Sequence, residues 1–184
     1  MLIRKIIICL VIFMAANSQT KGQIYFTKNG SISFFSKTIL QNIQADNNEV
    51  ISILNLQTGS LQFSLLNKAF HFPKAKMEED FNEDYIESNQ YPRSTFKGRI
   101  ANIDKINFSK DGTWPVKVNG ELMMHGVTKN ITTTGKISVK DEKIDATASF
   151  KILLEDYHIK IPSIVSNKIS ENIDITINCN YEKK

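Results

Sequence analysis

Residues 144–154, I-D-A-T-A-S-F-K-I-L-L, carry the pattern that decides the fold. Apolar side chains occupy every second position from Ile144 to Ile152, and polar side chains stand between them. Successive side chains of a strand point to opposite faces of its sheet, so this alternation is typical of a strand with one dry face and one wet face. The stretch therefore predicts an antiparallel sheet that buries one side.

The same alternation recurs near the end of the chain. Residues 173–181, I-D-I-T-I-N-C-N-Y, place isoleucines, Cys179 and Tyr181 on one face and Asp, Thr and Asn on the other. A free cysteine at an inward position behaves as a small apolar residue. We therefore interpret Cys179 as part of the core and not as a reactive thiol.

A hairpin is predicted between residues 116 and 139. Alternating residues from Val116 to Met124 face one way, and a second alternating run follows from Ile131 to Val139. Gly126 supplies a turn conformation that a residue with a Cβ resists. His125 falls at the strand end on the polar face, and we interpret its side chain as one that ties down the turn, in preference to a base or a metal ligand.

Further strands are predicted along the rest of the chain, to a total of about eight to ten. They cover residues 24–27, 31–36, 50–55, 60–66, 95–100 and 105–108. Closely spaced short strands with hairpin turns are typical of an up-and-down barrel or a sandwich. After Leu154 the inward positions shift to Tyr157 and Ile159, which predicts a bulge or bend near Glu155 and Asp156.

One helix is predicted from Pro73 to Tyr85. Proline suits a first helical turn, and Met77, Phe81 and Tyr85 are spaced four apart, so they form one apolar stripe. The charged residues between them predict a solvated outer face; they are Lys76, Glu78, Glu79, Asp80 and Glu83. A short helix with one apolar stripe is expected to cover the side or mouth of the sheet.

The first 22 residues have the features of a secretory signal peptide. Arg4 and Lys5 precede an apolar run from Ile6 to Ala16, and small and polar residues follow. A membrane span needs roughly 20 apolar residues, so we expect cleavage near Gln19 or Gln23 and no lipid or membrane anchor. The expected domains are a signal peptide at 1–22 and one domain at 23–184, exported to the periplasm or secreted.

Charge and cysteine usage narrow the classes of function. Removal of residues 1–22 takes away three cations and no acid, and so lowers the formal charge from +4 to +1. With both signs interspersed, the domain lacks the basic patch that nucleic-acid binding requires, so no nucleic-acid partner is expected. Cys179 is the single cysteine of the mature chain, so an internal disulfide is excluded.

No catalytic or cofactor motif stands out. The sequence lacks a G-x-S-x-G elbow, a phosphate-binding glycine loop and a dinucleotide fingerprint. The three histidines, His71, His125 and His158, lie far apart, and none has a second ligand at the spacing of a zinc motif. We therefore expect no enzyme activity, no cofactor and no metal; if two histidines do converge, His71 and His158 are the favoured pair because both lie beside aromatic residues.

Three segments together resemble the YceI-like family, in a form common among Bacteroidetes proteins. They are F-H-F-P-K-A-K-M-E-E-D-F-N-E-D-Y-I-E-S-N-Q-Y-P-R-S-T-F-K-G-R-I at 70–100, M-H-G-V-T-K at 124–129 and F-K-I-L-L-E-D-Y-H-I-K-I-P at 150–162. The resemblance spans residues 25 to 181. It departs from the family pattern at Asp80, where relatives more often carry histidine, and at Lys76, where an apolar residue is common.

The resemblance implies a fold and a class of function. Family members are exported bacterial proteins with a lipocalin-like antiparallel β-barrel of about eight strands, and here one short helix would cover it. Some members hold a polyisoprenoid or another long amphiphile in an apolar channel. The resemblance thus implies a binding protein for a long-chain lipid or isoprenoid, held for transport or storage.

The predicted ligand site combines small inward residues, which leave room, with apolar residues that would line it. The set is Phe63, Phe70, Phe72, Met77, Phe81, Phe96, Gly135, Ala146, Ala148, Phe150 and Ile152. The same side chains could instead pack together as a filled core. That alternative predicts an envelope or stress-associated interaction protein without a small ligand, which would use exposed aromatics such as Phe35 and Tyr91. The sequence does not decide between a monomer and a homodimer.

Overall fold

Eight antiparallel strands form a closed barrel in the computed structural model, which describes residues 24–184. Each strand pairs with the next along the chain, and the last pairs with the first. This confirms the predicted barrel. The strands are β1 Ile24–Lys37, β2 Asn42–Asn55, β3 Ser60–Leu66, β4 Arg93–Ile100, β5 Gly112–Met124, β6 Val127–Lys140, β7 Lys143–Leu153 and β8 Asn172–Lys183.

The predicted alternation decides which side chains point inward. Ala146 of β7 is opposite Ile137 of β6 and Cys179 of β8, and Ala148 is opposite Gly135 of β6. The inward sets of three neighbouring strands thus lie side by side, as the period-2 pattern requires. The polar set between them faces solvent.

Three strand predictions are wrong. Strand β2 begins at Asn42, eight residues before the predicted start at Val50. The segments 24–27 and 31–36 are one strand, β1, with register shifts between Thr27 and Ile32. Residues 105–108 form no strand, because the chain makes a 3₁₀ turn at Ile103–Lys105 and buries Ile106 as a single anchor. A run of only two alternating pairs was too short to distinguish that anchor from a strand.

The predicted bulge or bend near Glu155 and Asp156 is present as a turn that ends the strand, and not as a bulge. Strand β7 ends at Leu153, and residues Leu154–Tyr157 form a 3₁₀ turn that His158 ends in the left-handed conformation, with φ of 57°. Tyr157 and Ile159 are buried against Ile86. The change in parity therefore marks the point where the chain leaves the sheet.

The helix lies between β3 and β4. Helix α1 spans Ala75–Asp80 and continues as one π-helical turn at Phe81–Tyr85, which confirms the predicted helix. No helix among residues 24–184 has both the length and the apolar character needed to cross a lipid bilayer.

The two ends of the barrel differ in their connections. The end that we call the mouth carries the turns 38–41 and 125–126 and the two long connections, 67–92 and 154–171. The opposite end, the far end, carries the turns 56–59 and 141–142 and the loop 101–111. Because neighbouring strands run in opposite directions, every second connection lies at the same end. All helical structure in these connections lies at the mouth except the 3₁₀ turn at Ile103–Lys105.

Candidate functional site: an apolar cavity along the barrel axis

Two adjoining cavities occupy the barrel. The outer cavity, of about 270 Å³, lies at the mouth, and the inner cavity, of about 140 Å³, lies deeper. Five residues line both, so the two cavities meet end to end. They are Phe70, Ser94, Met124, Ile152 and Ile175.

Burial along the inward faces agrees with a hollow middle. At the far end, Leu54, Ile100 and Ile144 are almost completely buried, at 0%, 1% and 1% exposure. Midway along the barrel, Ala146 and Phe150 also point inward but are only half-buried. An inward side chain keeps accessible surface only where no neighbour fills the space in front of it. Both residues line the inner cavity, so their exposure agrees with empty space in the middle of the barrel.

Four phenylalanine rings form one wall of the outer cavity. Phe34 of β1 lies 5.4 Å from Phe70 and 5.4 Å from Phe72, measured between ring centroids. Phe81 lies 5.5 Å from Phe34 and 5.1 Å from Phe72. These are the distances and tilted or edge-on angles that aromatic pairs prefer. The cluster fixes the helical segment onto the barrel at the mouth.

The helical segment turns its predicted apolar stripe toward the outer cavity. Met77, Phe81 and Tyr85 all line the cavity. The predicted solvated face is correct only in part, because the Glu78 carboxylate accepts a hydrogen bond of 3.1 Å from the Phe72 backbone N–H. Asp80 is half-buried at the cavity rim. Glu78 therefore ties the helix to the segment before it, whereas Asp80 pairs with Lys76 of the same helix at 2.8 Å.

The inner cavity depends on a pair of facing glycines. Gly98 of β4 is paired with Gly120 of β5, and the ring of Phe96 lies against both. A Cβ on Gly120 would lie 2.5 Å from Phe96 Cζ and 2.5 Å from the Lys97 carbonyl oxygen. The glycines thus let the Phe96 ring lie flat on the wall, where it leaves the axis open and meets Phe63 at 6.2 Å.

Ser52 and Tyr181 form a buried hydrogen-bonded pair near the far end. The Ser52 hydroxyl donates to the Gln62 carbonyl at 2.9 Å, so the Tyr181 hydroxyl is the donor in its 2.6 Å bond to Ser52. Burial raises the pKa of Tyr181, which keeps its hydroxyl neutral. Tyr181 therefore presents its ring to the inner cavity without an unpaired polar atom.

All eleven residues of the predicted ligand site line a cavity. Phe72, Met77 and Phe81 line the outer one, and Phe70 and Ile152 line both. The other six line the inner cavity, and they are Phe63, Phe96, Gly135, Ala146, Ala148 and Phe150. Their role as ligand contacts stays a prediction.

Sequence reasoning missed several wall residues. Phe34, Met124 and Ile175 line the outer cavity, and each lies on the inward parity of its strand. That parity could have identified them, since Ile32, Phe34 and Ser36 alternate in β1. No pattern in the sequence identified Ser94 or Asn67 as wall residues. They are held by hydrogen bonds: the Ser94 hydroxyl donates to Asn67 Oδ1 at 2.8 Å, and the Asn67 amide donates to the Tyr91 carbonyl at 2.6 Å.

His125 joins three segments at the mouth. Its φ of 50° and that of Gly126, 73°, make the two-residue turn between β5 and β6. Its Nδ1 lies 2.8 Å from the Tyr157 carbonyl oxygen, and its Nε2 lies 2.6 Å from Glu87 Oε2. Both partners accept, so both contacts are hydrogen bonds when each ring nitrogen carries a proton. His125 thus holds both long connections to the hairpin, as its predicted turn-fixing role requires.

The other two histidines are surface residues. His71 is exposed, with Nδ1 at 3.6 Å from Glu78 Oε2, and makes an isolated bridge to Asp46. His158 is exposed and lies in a turn, not in a strand. Across the described part of the chain, no three His, Cys, Asp or Glu side chains are placed to hold a metal ion.

The two aromatics expected to be exposed in an interaction protein are each only partly exposed. Phe35 and Tyr91 are both half-buried, and the Tyr91 ring packs edge-on against His125 at 4.6 Å. They therefore give that alternative no support.

We expect His125→Asn to lower the free energy of unfolding by about 2 kcal/mol, because two hydrogen bonds to partly buried partners are lost. Asparagine tolerates the left-handed turn, so the backbone is kept. Urea unfolding measures the effect. Lys129→Ala is the matched control in the same hairpin, since it breaks only the exposed Lys129–Asp156 pair and should change stability by less than about 0.5 kcal/mol. Equal effects would contradict the role of His125.

We expect Cys179 to resist alkylation in the folded protein. It is 2% exposed, and burial raises the pKa of its thiol from 9.0 to about 12. The thiolate is the reactive form, so little reactive species exists at pH 8. In a chain that starts at Gln23, iodoacetamide should label Cys179 only after unfolding in guanidinium. Rapid labelling of the native protein would refute its place in the core.

A closed antiparallel barrel of eight strands with apolar cavities inside it defines the lipocalin-like class of barrels. Within that class, the chain belongs to the YceI-like domain family, whose model matches residues 16–181. No curated protein matches the sequence closely enough to count as a relative.

Solved structures share this fold. A polyisoprenoid binding domain from Saccharophagus degradans, implicated in plant cell wall breakdown, has a TM-score of 0.76 at 15% identity, covering 89% of this chain and 100% of that one. BcnA of Burkholderia cenocepacia has a TM-score of 0.68 at 13% identity, with coverage of 83% and 96%. The YCEI protein of Campylobacter jejuni has a TM-score of 0.57 at 20% identity, with coverage of 73% and 81%.

Proposed function

We propose that this protein is an exported, non-catalytic binding protein that holds a long-chain amphiphile, a polyisoprenoid or a similar lipid, for transport or storage. The observation that carries the proposal is the pair of adjoining apolar cavities, about 270 and 140 Å³, along the barrel axis. The structural likeness to a polyisoprenoid binding domain supports the same class of ligand.

The size of the cavities sets the length of chain that they can hold. One benzene ring occupies an apolar cavity of about 150 Å³ in another protein, so the two cavities together have room for about 16 carbon atoms. That equals about three isoprene units. A longer polyisoprenoid would have to extend through the mouth or displace the helical segment.

Burial of such a chain accounts for useful affinity. Each buried methylene contributes about 0.8 kcal/mol, so ten contribute roughly 8 kcal/mol before association costs. A micromolar complex corresponds to about 8 kcal/mol net, so a chain near the full length of the cavities is needed. Because the walls are mostly apolar, we expect affinity to depend little on the polar group of the ligand.

The polar end of the amphiphile is placed at the mouth in this proposal. Gln41, Asp80 and Lys168 lie at the rim of the outer cavity, whereas at the far end the Tyr181 hydroxyl is already hydrogen-bonded to Ser52. A charged or hydroxylated head group would be costly to bury without partners, so the chain enters tail first.

Organic extraction of the purified protein, followed by mass spectrometry, tests the ligand. We expect a long-chain lipid at near-stoichiometric yield, and its loss after purification of the unfolded and refolded chain. Absence of any reproducible lipid, together with no uptake of added fatty acid, would favour the interaction-protein alternative.

Export is part of the proposal and depends on residues 1–22, which lie outside the described residues. The charged start and short apolar run support it. The intact mass of the protein recovered from the producing bacterium should correspond to a chain that begins near Gln19 or Gln23. Recovery of the full-length chain in the cytoplasm would contradict export.

A further inference from the structure

The three most exposed large apolar side chains among residues 24–184 lie at the mouth. Ile39 is 103% exposed, Ile164 is 86% exposed and Leu40 is 64% exposed. Ile39 and Leu40 form the tip of the β1–β2 turn, and Ile164 lies in the β7–β8 connection. Single exposed apolar residues are common, but three at one opening need a physical reason.

Ordered turns hold these side chains outward. The Thr38 N–H donates to the Gln41 carbonyl at 3.0 Å, and the Gln41 N–H donates to Thr38 Oγ1 at 3.1 Å, so the turn that presents Ile39 and Leu40 is closed on itself. Around Ile164, the Val165 N–H donates to the Pro162 carbonyl at 3.0 Å. The hydrogen-bonded backbone of the two turns therefore keeps these side chains exposed.

The two tips belong to one rim. The Ser170 N–H donates to Ser36 Oγ at 2.8 Å, which joins the base of the β7–β8 connection to the end of β1. Gln41, next to one tip, and Val165, next to the other, both line the outer cavity. We call this side of the mouth, made of residues 37–45 and 158–170, the apolar rim.

The apolar rim is also basic. Its two segments contain Lys37, Lys160 and Lys168, all exposed, and no acidic residue; the nearest acids along the chain are Asp46, Asp156 and Glu171. The helical connection across the mouth has the opposite character. It carries six acids against three lysines; the acids are Glu78, Glu79, Asp80, Glu83, Asp84 and Glu87, and the lysines are Lys68, Lys74 and Lys76. One side of the mouth thus suits an anionic, partly apolar surface, and the other side repels it.

We propose that the apolar rim docks the mouth of the barrel reversibly on a membrane that contains anionic lipids. Exposed isoleucine and leucine side chains enter the boundary between head groups and acyl chains, while nearby lysines bind anionic head groups. The acidic helix keeps its side of the mouth away from the surface, so the protein binds tilted. In this position the outer cavity opens at the level where a lipid chain leaves the bilayer. Docking goes beyond the proposed cargo function and does not require that a ligand be bound.

Vesicle flotation tests docking. The probes are vesicles of phosphatidylcholine alone and vesicles of equal parts phosphatidylcholine and phosphatidylglycerol. The test variant carries Ile39→Ser, Leu40→Ser and Ile164→Ser. The matched control carries Ile51→Ser and Ile53→Ser, which remove exposed isoleucines, 45% and 43% exposed, from the outer wall of β2.

We expect the natural protein to bind the anionic vesicles, more weakly as salt is raised, and to bind phosphatidylcholine little. The test variant should lose at least about tenfold in affinity, and the control should bind like the natural protein. Absence of binding to anionic vesicles, or equal losses in both variants, would overturn the proposal. Fatty-acid uptake in solution is measured on the same variants, so a failure of docking is distinguished from a failure of cargo binding.

Discussion

Replacing Ala148 with phenylalanine is expected to weaken binding of a long-chain ligand strongly while leaving the protein folded. Ala148 points into the inner cavity, whose volume of about 140 Å³ is close to that of a known benzene site. The new ring would fill the space of about six ligand carbons, worth about 5 kcal/mol. We expect palmitate to bind at least about a hundredfold more weakly, measured by calorimetric titration.

The control for Ala148→Phe is the neighbouring residue. Ser149 is exposed on the outer face of the same strand, so Ser149→Phe adds the same ring outside the barrel. Palmitate affinity should then be unchanged. Thermal unfolding of Ala148→Phe should match the natural protein within about 1 kcal/mol, since the ring enters existing space. Undiminished palmitate binding by the folded Ala148→Phe variant would show that the inner cavity holds no ligand chain.

Gly120→Ala is expected to destabilise the barrel by about 3 kcal/mol, although it adds one methyl group. The added carbon would lie 2.5 Å from the Lys97 carbonyl oxygen, a backbone atom that cannot turn away. It would also push the Phe96 ring from the wall into the inner cavity. Overpacking of this kind typically costs about 1–3 kcal/mol, and a backbone clash places this variant at the upper end.

Urea unfolding and palmitate titration together measure the Gly120→Ala variant. Gly112→Ala in the same strand is the control, because the three atoms nearest to a Cβ there all belong to the Trp114 side chain, which can move. The control should change stability by less than about 0.5 kcal/mol. If Gly120→Ala unfolds like the natural protein, the glycine pair does not position Phe96.

The sequence predicted the wall of the barrel well, for a physical reason. Strands with one buried face must alternate, and in residues 144–152 and 173–181 no apolar residue interrupts the alternation. The turn at His125 and Gly126 was predicted because only a few residues accept its positive φ values. Where the periodic signal was long, the structure agrees with it.

Predictions from short or ambiguous sequence patterns were less accurate. Residues 105–108 alternate over too few positions, and Ile106 is buried from a loop. The parity change after Leu154 fits a bulge or the end of a strand equally well, and only contacts distant in sequence decide between them. Burial of Tyr157 and Ile159 under the mouth ended the strand.

Side-chain identity predicted the candidate site, but not its empty space. A strand with Ala146 and Ala148 lines a cavity if its neighbours do not fill the gap, and a packed core if they do. That outcome depends on Phe96 lying flat on Gly98 and Gly120, a geometry set by strand pairing. Phe34 belongs to the same wall, and its partners come from a connection more than thirty residues later in the chain.

Affinity as a function of chain length tests most directly the claim that the hollow interior holds a single apolar chain. Calorimetric titration would compare straight-chain fatty acids from octanoate to eicosanoate. Affinity should rise about fourfold per methylene until the cavities are full, near 16 carbons, and then level off. Affinity that does not depend on chain length, or no binding at any length, would contradict the account.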